Sequence, residues 1–151
     1  MPYWAELWPA GRALAEALPP VAELCVVELG CGLGLPSLVA SARGAQVVAT
    51  DWAADAVELL AENAARNGLA VVAEVRDWRQ TWSERFDLVL AADVLYERRN
   101  VEPLVERLQE LAPIALLALA GRPYEDTFLR EWPGRAEQVA ERVLRLTPPR
   151  E

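Results

Sequence analysis

The sequence predicts an α/β fold built on a doubly wound, mostly parallel sheet. Short apolar runs alternate with amphipathic stretches along the chain, the pattern of strands joined through helices. The first run, "LCVVEL" at 24–29, is continuously apolar, as befits a parallel strand covered on both faces. It leads straight into "GCGLG" and then a helical pattern, the strand–turn–helix junction at the carboxyl edge of such sheets.

The elements follow in order. "GRALAEAL" at 11–18 is a helix ahead of the first strand, with Trp4 and Trp8 before it as aromatics suited to covering a core. After the glycines, "LPSLVASARG" is a helix, with Pro36 in its first turn and Gly44 at its end. "AQVVAT" at 45–50 is the second strand. In "AADAVELLAENAARNG", Val57, Leu60, Ala61 and Ala64 fall on one helical face, and Gly68 closes it. "AVVAEV" at 70–75 and "FDLVLAAD" at 86–93 are the third and fourth strands. A helix from Asn100 buries Val101, Leu104, Val105, Leu108 and Leu111 and stops at Pro113. "IALLALA" at 114–120 is the fifth strand, while "RAEQVAERVLRL" fits a helix or a final strand.

Composition excludes several chemistries. The chain has 151 residues, 53% hydrophobic and 25% charged, and is expected to fold as one domain, an N-terminal helical segment over 1–20 and a core over 21–151. It contains no histidine and only Cys25 and Cys31, so zinc chemistry and a His-activated nucleophile lack their ligands or base, and no metal is expected. All 15 basic residues are arginine, which removes phosphoryl transfer through a P-loop lysine. A net charge of −8 disfavours nucleic acid and favours a basic, lysine-bearing protein surface, although acidity also simply aids solubility. No apolar run is long enough to cross a membrane, and "MPYWAELWPAGR" lacks the layout of a signal peptide, so a cytoplasmic address is expected.

The glycine turn narrows the ligand. A dinucleotide turn reads G-x-G-x-x-G, but the third glycine position counted from Gly30 is Leu35, and the spacing is instead Gly30, Gly32, Gly34, with Glu28 just before it. Pro36 removes one of the helix N-terminal donors that a pyrophosphate would use. The turn suits an uncharged nucleoside with an amino-acid tail. Asp51 ends the second strand, where a carboxylate can accept hydrogen bonds from ribose hydroxyls.

With these residues in place the chain resembles a class I S-adenosylmethionine-dependent methyltransferase. More narrowly it is similar to the seven-β-strand protein lysine methyltransferases, the family of the electron-transfer-flavoprotein β-subunit lysine methyltransferase. "PYWAELWPAGRALAEAL", "VVELGCGLGLPSL", "VVATD", "RDW" and "AADVLY" match that family's motifs in order, from residue 2 to about 120. The resemblance implies S-adenosylmethionine as cofactor and a Rossmann-like methyltransferase fold. It implies that Trp8 lines the methionine end, that the Gly30–Gly32 backbone approaches the amino-acid part and that Asp51 holds the ribose. Trp78 would flank the adenine with Asp77 beside it, Ala92 would touch the cofactor, and Glu28, Cys31, Gly34 and Trp52 complete the set. Asp93 and Tyr96 would face the methyl group and the incoming nucleophile, a lysine amine that Asp93 orients or deprotonates. Only a short stretch follows "GRPYEDTFL", where the family has two further strands, so the C-terminal strand pair is open to truncation.

Structural readings stand beside these. Trp78 and Trp82 can cap a core edge, Glu28 can be a satisfied acid pinning the turn, Tyr96 can be core packing and Cys31 a small turn residue. "ADVLY" stands where amino-adenine and glutamine methyltransferases carry an Asn/Asp-Pro-Pro-Tyr motif, which disfavours those two acceptors. Three alternatives remain: N- or O-methylation of a small molecule, as in nicotinamide methyltransferases, a non-catalytic cofactor-binding subunit and, more weakly, an NAD-type dehydrogenase.

Overall fold

The structure, a computed structural model, describes residue 2 and residues 5–150, which leaves Trp4 outside the described residues. Five parallel strands carry the fold: β1 (Cys25–Leu29), β2 (Gln46–Asp51), β3 (Val71–Val75), β4 (Leu88–Ala92) and β5 (Ala115–Ala118). Two more, β6 (Arg135–Ala140) and β7 (Val143–Thr147), form an antiparallel hairpin, and the sheet order is β3-β2-β1-β4-β5-β7-β6.

The C-terminal strand pair is therefore complete. "RAEQVAERVLRL" has local helical spacing, with apolar residues three and four apart, and equally fits a strand; the structure takes the strand alternative, with Glu141 and Arg142 forming the turn of a hairpin. Arg142 adopts φ 58, and β7 inserts antiparallel beside β5, pairing Leu117 with Leu144 and Ala115 with Leu146. Burying Val143 and Leu146 on opposite faces of the sheet outweighs local helical spacing.

α1 (Pro9–Glu16), α2 (Leu35–Ala42) and α3 (Ala54–Arg66) cover one face. α1 begins two residues before "GRALAEAL", because Pro9 supplies a fixed φ and needs no donor in the first turn. On α3 the buried stripe is Ala56, Val57, Leu60 and Ala64, while Ala61 is exposed. α4 (Val101–Leu111) and α5 (Glu125–Glu131) cover the other face. α4 buries the five apolar residues expected of it, plus Arg107. α5 has no expected counterpart; it is seven residues long, too short for periodicity to reveal.

No helix joins β3 to β4. The loop lays Trp78 and Trp82 on the α4 face instead, both in its main core cluster. Trp82 packs edge-on to Phe86 at 6.4 Å with the Arg76 guanidinium 3.8 Å above its ring. Arg76 in turn holds Glu84 in a two-pronged ion pair, which pulls that carboxyl down to about 2. The carboxyl ends of β1, β2 and β4 thus converge below a loop anchored by its own aromatics.

Candidate active site

The site starts from the turn between β1 and α2. Gly30, Gly32 and Gly34 all take left-handed φ values, 63, 50 and 71. At Gly30 and Gly34 a Cβ would meet the protein's own side chains. A Cβ on Gly30 would stand 3.1 Å from Val94 Cγ1 and 3.2 Å from Trp78 Cζ3. One on Gly34 would stand 2.4 Å from Leu60 Cδ1. Glycine there answers to turn geometry and packing, and the backbone it leaves bare forms one wall of a cleft.

Polar groups lock the turn. The Cys31 N–H donates to the Thr50 carbonyl at 2.8 Å, and the Thr50 hydroxyl donates to the Glu28 carbonyl at 2.9 Å. Asp51 takes the Gly32 N–H on one oxygen and the Ala53 N–H on the other, each at 2.9 Å. The carboxylate expected to wait for a ribose thus already holds the glycine turn and the start of α3, and each oxygen keeps a second lone pair for a hydroxyl. Glu28 is 2% exposed, and one of its oxygens accepts the Ser37 hydroxyl at 2.6 Å and the Ser37 N–H at 3.1 Å. Burial pushes its carboxyl up to about 8, so at neutral pH it is largely protonated. Burial likewise raises the Cys31 thiol, which makes it unreactive.

A cleft opens above this turn. Every expected cofactor and catalytic residue except Asp77 lines it: Trp8, Glu28, the three glycines and Cys31 on one side, with Asp51, Trp52, Trp78, Ala92, Asp93 and Tyr96 closing it. Asp77 lies in an adjoining pocket that shares Trp52, Trp78 and Tyr96 with the cleft. Arg79 grips the Asp77 carboxylate with Nε and Nη2 at 2.9 and 2.6 Å, holding it below the usual carboxylate range. That grip matches the charge of Asp77 within its own loop. Trp52 is 64% exposed and rims the opening. The Tyr96 hydroxyl holds its proton more tightly than usual because the ring is half-buried.

Two features suit a nucleoside ligand such as S-adenosylmethionine. The Trp78 indole N–H is buried in the wall of the cleft with no partner among the described atoms, a donor that a ligand acceptor would satisfy. The turn also offers bare backbone and spare acceptor lone pairs on Asp51, which match a nucleoside's hydroxyls.

At the end of β4, Asp93 adopts φ 52, a left-handed conformation rare outside glycine and frequent at functional sites. Its carboxylate receives Arg122 Nε and Nη2, each at 2.7 Å. Sequence reasoning missed Arg122, although the residue follows β5 at the same carboxyl edge as Asp51 and Asp93, where functional side chains collect. Arg107 was also missed. It lies inside the apolar stripe of α4, where its Nε donates to the Trp78 carbonyl at 2.8 Å and its Nη1 pairs with Glu110, tethering the loop that forms the cleft wall.

Comparison with known proteins completes the description. A family model described as lysine methyltransferase matches residues 5–129. The electron transfer flavoprotein beta subunit lysine methyltransferase of Danio rerio is 35% identical over 114 residues, covering 72% of this chain and 44% of that protein. The protein-lysine methyltransferase METTL21E of Mus musculus is 32% identical over 127 residues, covering 72% and 52%. The chain thus spans about half the length of these relatives. Among solved structures, the 16S rRNA methyltransferase of T. Thermophilus in complex with AdoMet and guanosine superposes with a TM-score of 0.75 at 24% identity, over 95% of this chain and 44% of that one. That likeness speaks to the fold.

Proposed function

The chain belongs to the lysine methyltransferase family, and on that premise we propose that it transfers a methyl group from S-adenosylmethionine to a lysine side chain of another protein. The observation that carries this reading is the convergence of the Asp51-braced glycine turn and Asp93 on one cleft, at the edge of the sheet where ligands of this architecture bind. Bound S-adenosylmethionine would supply a sulfonium-activated methyl group and leave as a neutral thioether. The chain's residues have to align acceptor and methyl and keep water away.

Each residue has a task in this reading. The bare backbone of Gly30 and Gly32 admits the amino-acid end, Asp51 accepts the ribose hydroxyls on its spare lone pairs, and the Trp78 N–H donates to the base. Tyr96, whose phenol is neutral and holds its proton the more tightly for being half-buried, flanks the aliphatic stem of the acceptor. Asp93 orients the amine by accepting an N–H. Its two oxygens each already take an N–H of Arg122, which favours that role over proton abstraction.

A net charge of −8 supports a basic protein surface as the partner. Purified chain incubated with methyl-labelled S-adenosylmethionine and a lysate of the source organism tests the reading. Label is expected on methyl-lysine in a protein band, and it must lie on another protein because these 151 residues contain no lysine. Label on a small molecule only, or no binding of S-adenosylhomocysteine by calorimetry, overturns it.

A further inference from the structure

Asp93 stands between two clefts. It and Trp8 line both the cleft above the glycine turn and a second groove, which runs between α1 and the β6–β7 turn. Arg122 belongs to the second groove alone. Its two-pronged pair with Asp93 sits where the clefts meet, with the guanidinium 5.9 Å from the centre of the Trp8 ring. The Asp93 side chain is 6% exposed and that of Arg122 30%, so the cation is the more open of the two.

The loop that aims Arg122 is firmly held. The buried carboxylate of Glu125, at the start of α5, gathers the Ala120 N–H at 2.7 Å and the Gly121 N–H at 3.2 Å. The Leu119 N–H donates to the Arg142 carbonyl at 2.7 Å, tying the same loop to the hairpin turn. Arg122 is therefore positioned by structure and is no loose surface arginine.

On the groove side the other charges are Glu16 from α1 and Glu141 and Arg142 from the hairpin turn. On the cleft side the titratable groups are Glu6, Tyr96 and Cys31, with Asp51 and the largely protonated Glu28 deeper in.

We propose that the methyl acceptor reaches Asp93 along this groove and that Arg122 is a positioning residue that makes the junction select a neutral amine over an ammonium. The inference rests on the amine-methylating reading above. Arg122 matches the charge of Asp93, so an ammonium that reaches the junction meets a fixed cation beside the carboxylate. A neutral amine avoids that repulsion and can still donate an N–H to the carboxylate. Methyl transfer requires the neutral form, since only its nitrogen has a lone pair for the methyl carbon. The ammonium proton goes to bulk water before entry.

The test uses the chain loaded with S-adenosylhomocysteine and two small probes: trifluoroethylamine, uncharged at neutral pH, and ethylamine, charged at neutral pH. Dissociation constants come from NMR titration of the unaltered chain, Arg122→Met and Arg122→Lys. The unaltered chain should bind the uncharged probe about tenfold more tightly. Arg122→Met should reverse the order, and Arg122→Lys, which keeps the charge, should retain it. Equal binding of both probes, binding of neither, or an order unchanged in Arg122→Met overturns the inference. Selectivity in the unaltered chain is itself decisive, so the proposal stays open to refutation if a variant misfolds. If S-adenosylhomocysteine itself fails to bind, the methyltransferase reading falls, and this inference with it.

Discussion

Around the β1–α2 turn, polar groups brace one another: Asp51 holds Gly32 and Ala53, Thr50 holds the Glu28 carbonyl, and Ser37 satisfies the Glu28 carboxyl. The β6–β7 hairpin is held differently. Almost all of β6 is exposed, Val139 is 48% exposed, and the hairpin's anchors are Val143 and Leu146, apolar side chains on opposite faces of the sheet. A directional network keeps a left-handed turn and a carboxylate in one geometry. Area burial fixes only which strand pairs with which. The half of the molecule that must fit a ligand uses the first kind of force, and the half that completes the sheet uses the second.

That contrast can be broken most sharply at Asp51. Asp51→Ala leaves the Gly32 and Ala53 N–H groups without their acceptor, so it should cost about 3 kcal/mol of stability and lower S-adenosylhomocysteine affinity about 100-fold. Urea unfolding and calorimetry read the two effects. Leu146→Ala should cost a similar or slightly smaller amount, ~3 kcal/mol, through the cavity left beneath the hairpin. Affinity measured on the folded fraction should not change, and a fall of tenfold would show that the two halves are coupled.

Glu28 sharpens the comparison through pH. Its carboxyl ionises at about 8 in the fold against 4.5 in the unfolded chain, so between those values the folded protein holds the extra proton. Its contribution to stability is therefore fully present below 4.5 and lost as pH rises towards 8, at about 1 kcal/mol per unit. Glu28→Gln keeps the acceptor for Ser37 and should flatten the fall in melting temperature between pH 5 and 8. An equal slope in both proteins would show that Glu28 is ionised at neutral pH. The smallest effect belongs to Val139→Thr on the exposed edge strand, expected within about 0.5 kcal/mol of the unaltered chain.

The parallel strands β1 to β5 and helices α2 to α4 were legible because each alternates or repeats its apolar residues over its own length. Their ends shifted by a residue or two, and Ala61 turned out exposed because alanine pattern alone cannot separate adjacent positions on a helical face. The hairpin was ambiguous because strands exposed on one or both faces carry little alternation. α5 was missed because its role is to place Glu125 and Phe128, which local spacing does not reveal. At the site, the residue types were legible but not their partners. Asp77 sits with Arg79, just two residues away, and Asp93 with Arg122, on the next strand's loop.

By itself, then, the amino-acid order determined the parallel sheet, its glycine turn and the acids at the strand ends, because apolar periodicity and backbone freedom are properties of neighbouring residues. Only the folded chain decided which cation neutralises which acid, which N–H stays unpartnered and where two clefts meet. Those outcomes depend on distances between segments far apart along the chain, and electrostatics and hydrogen bonding act through space.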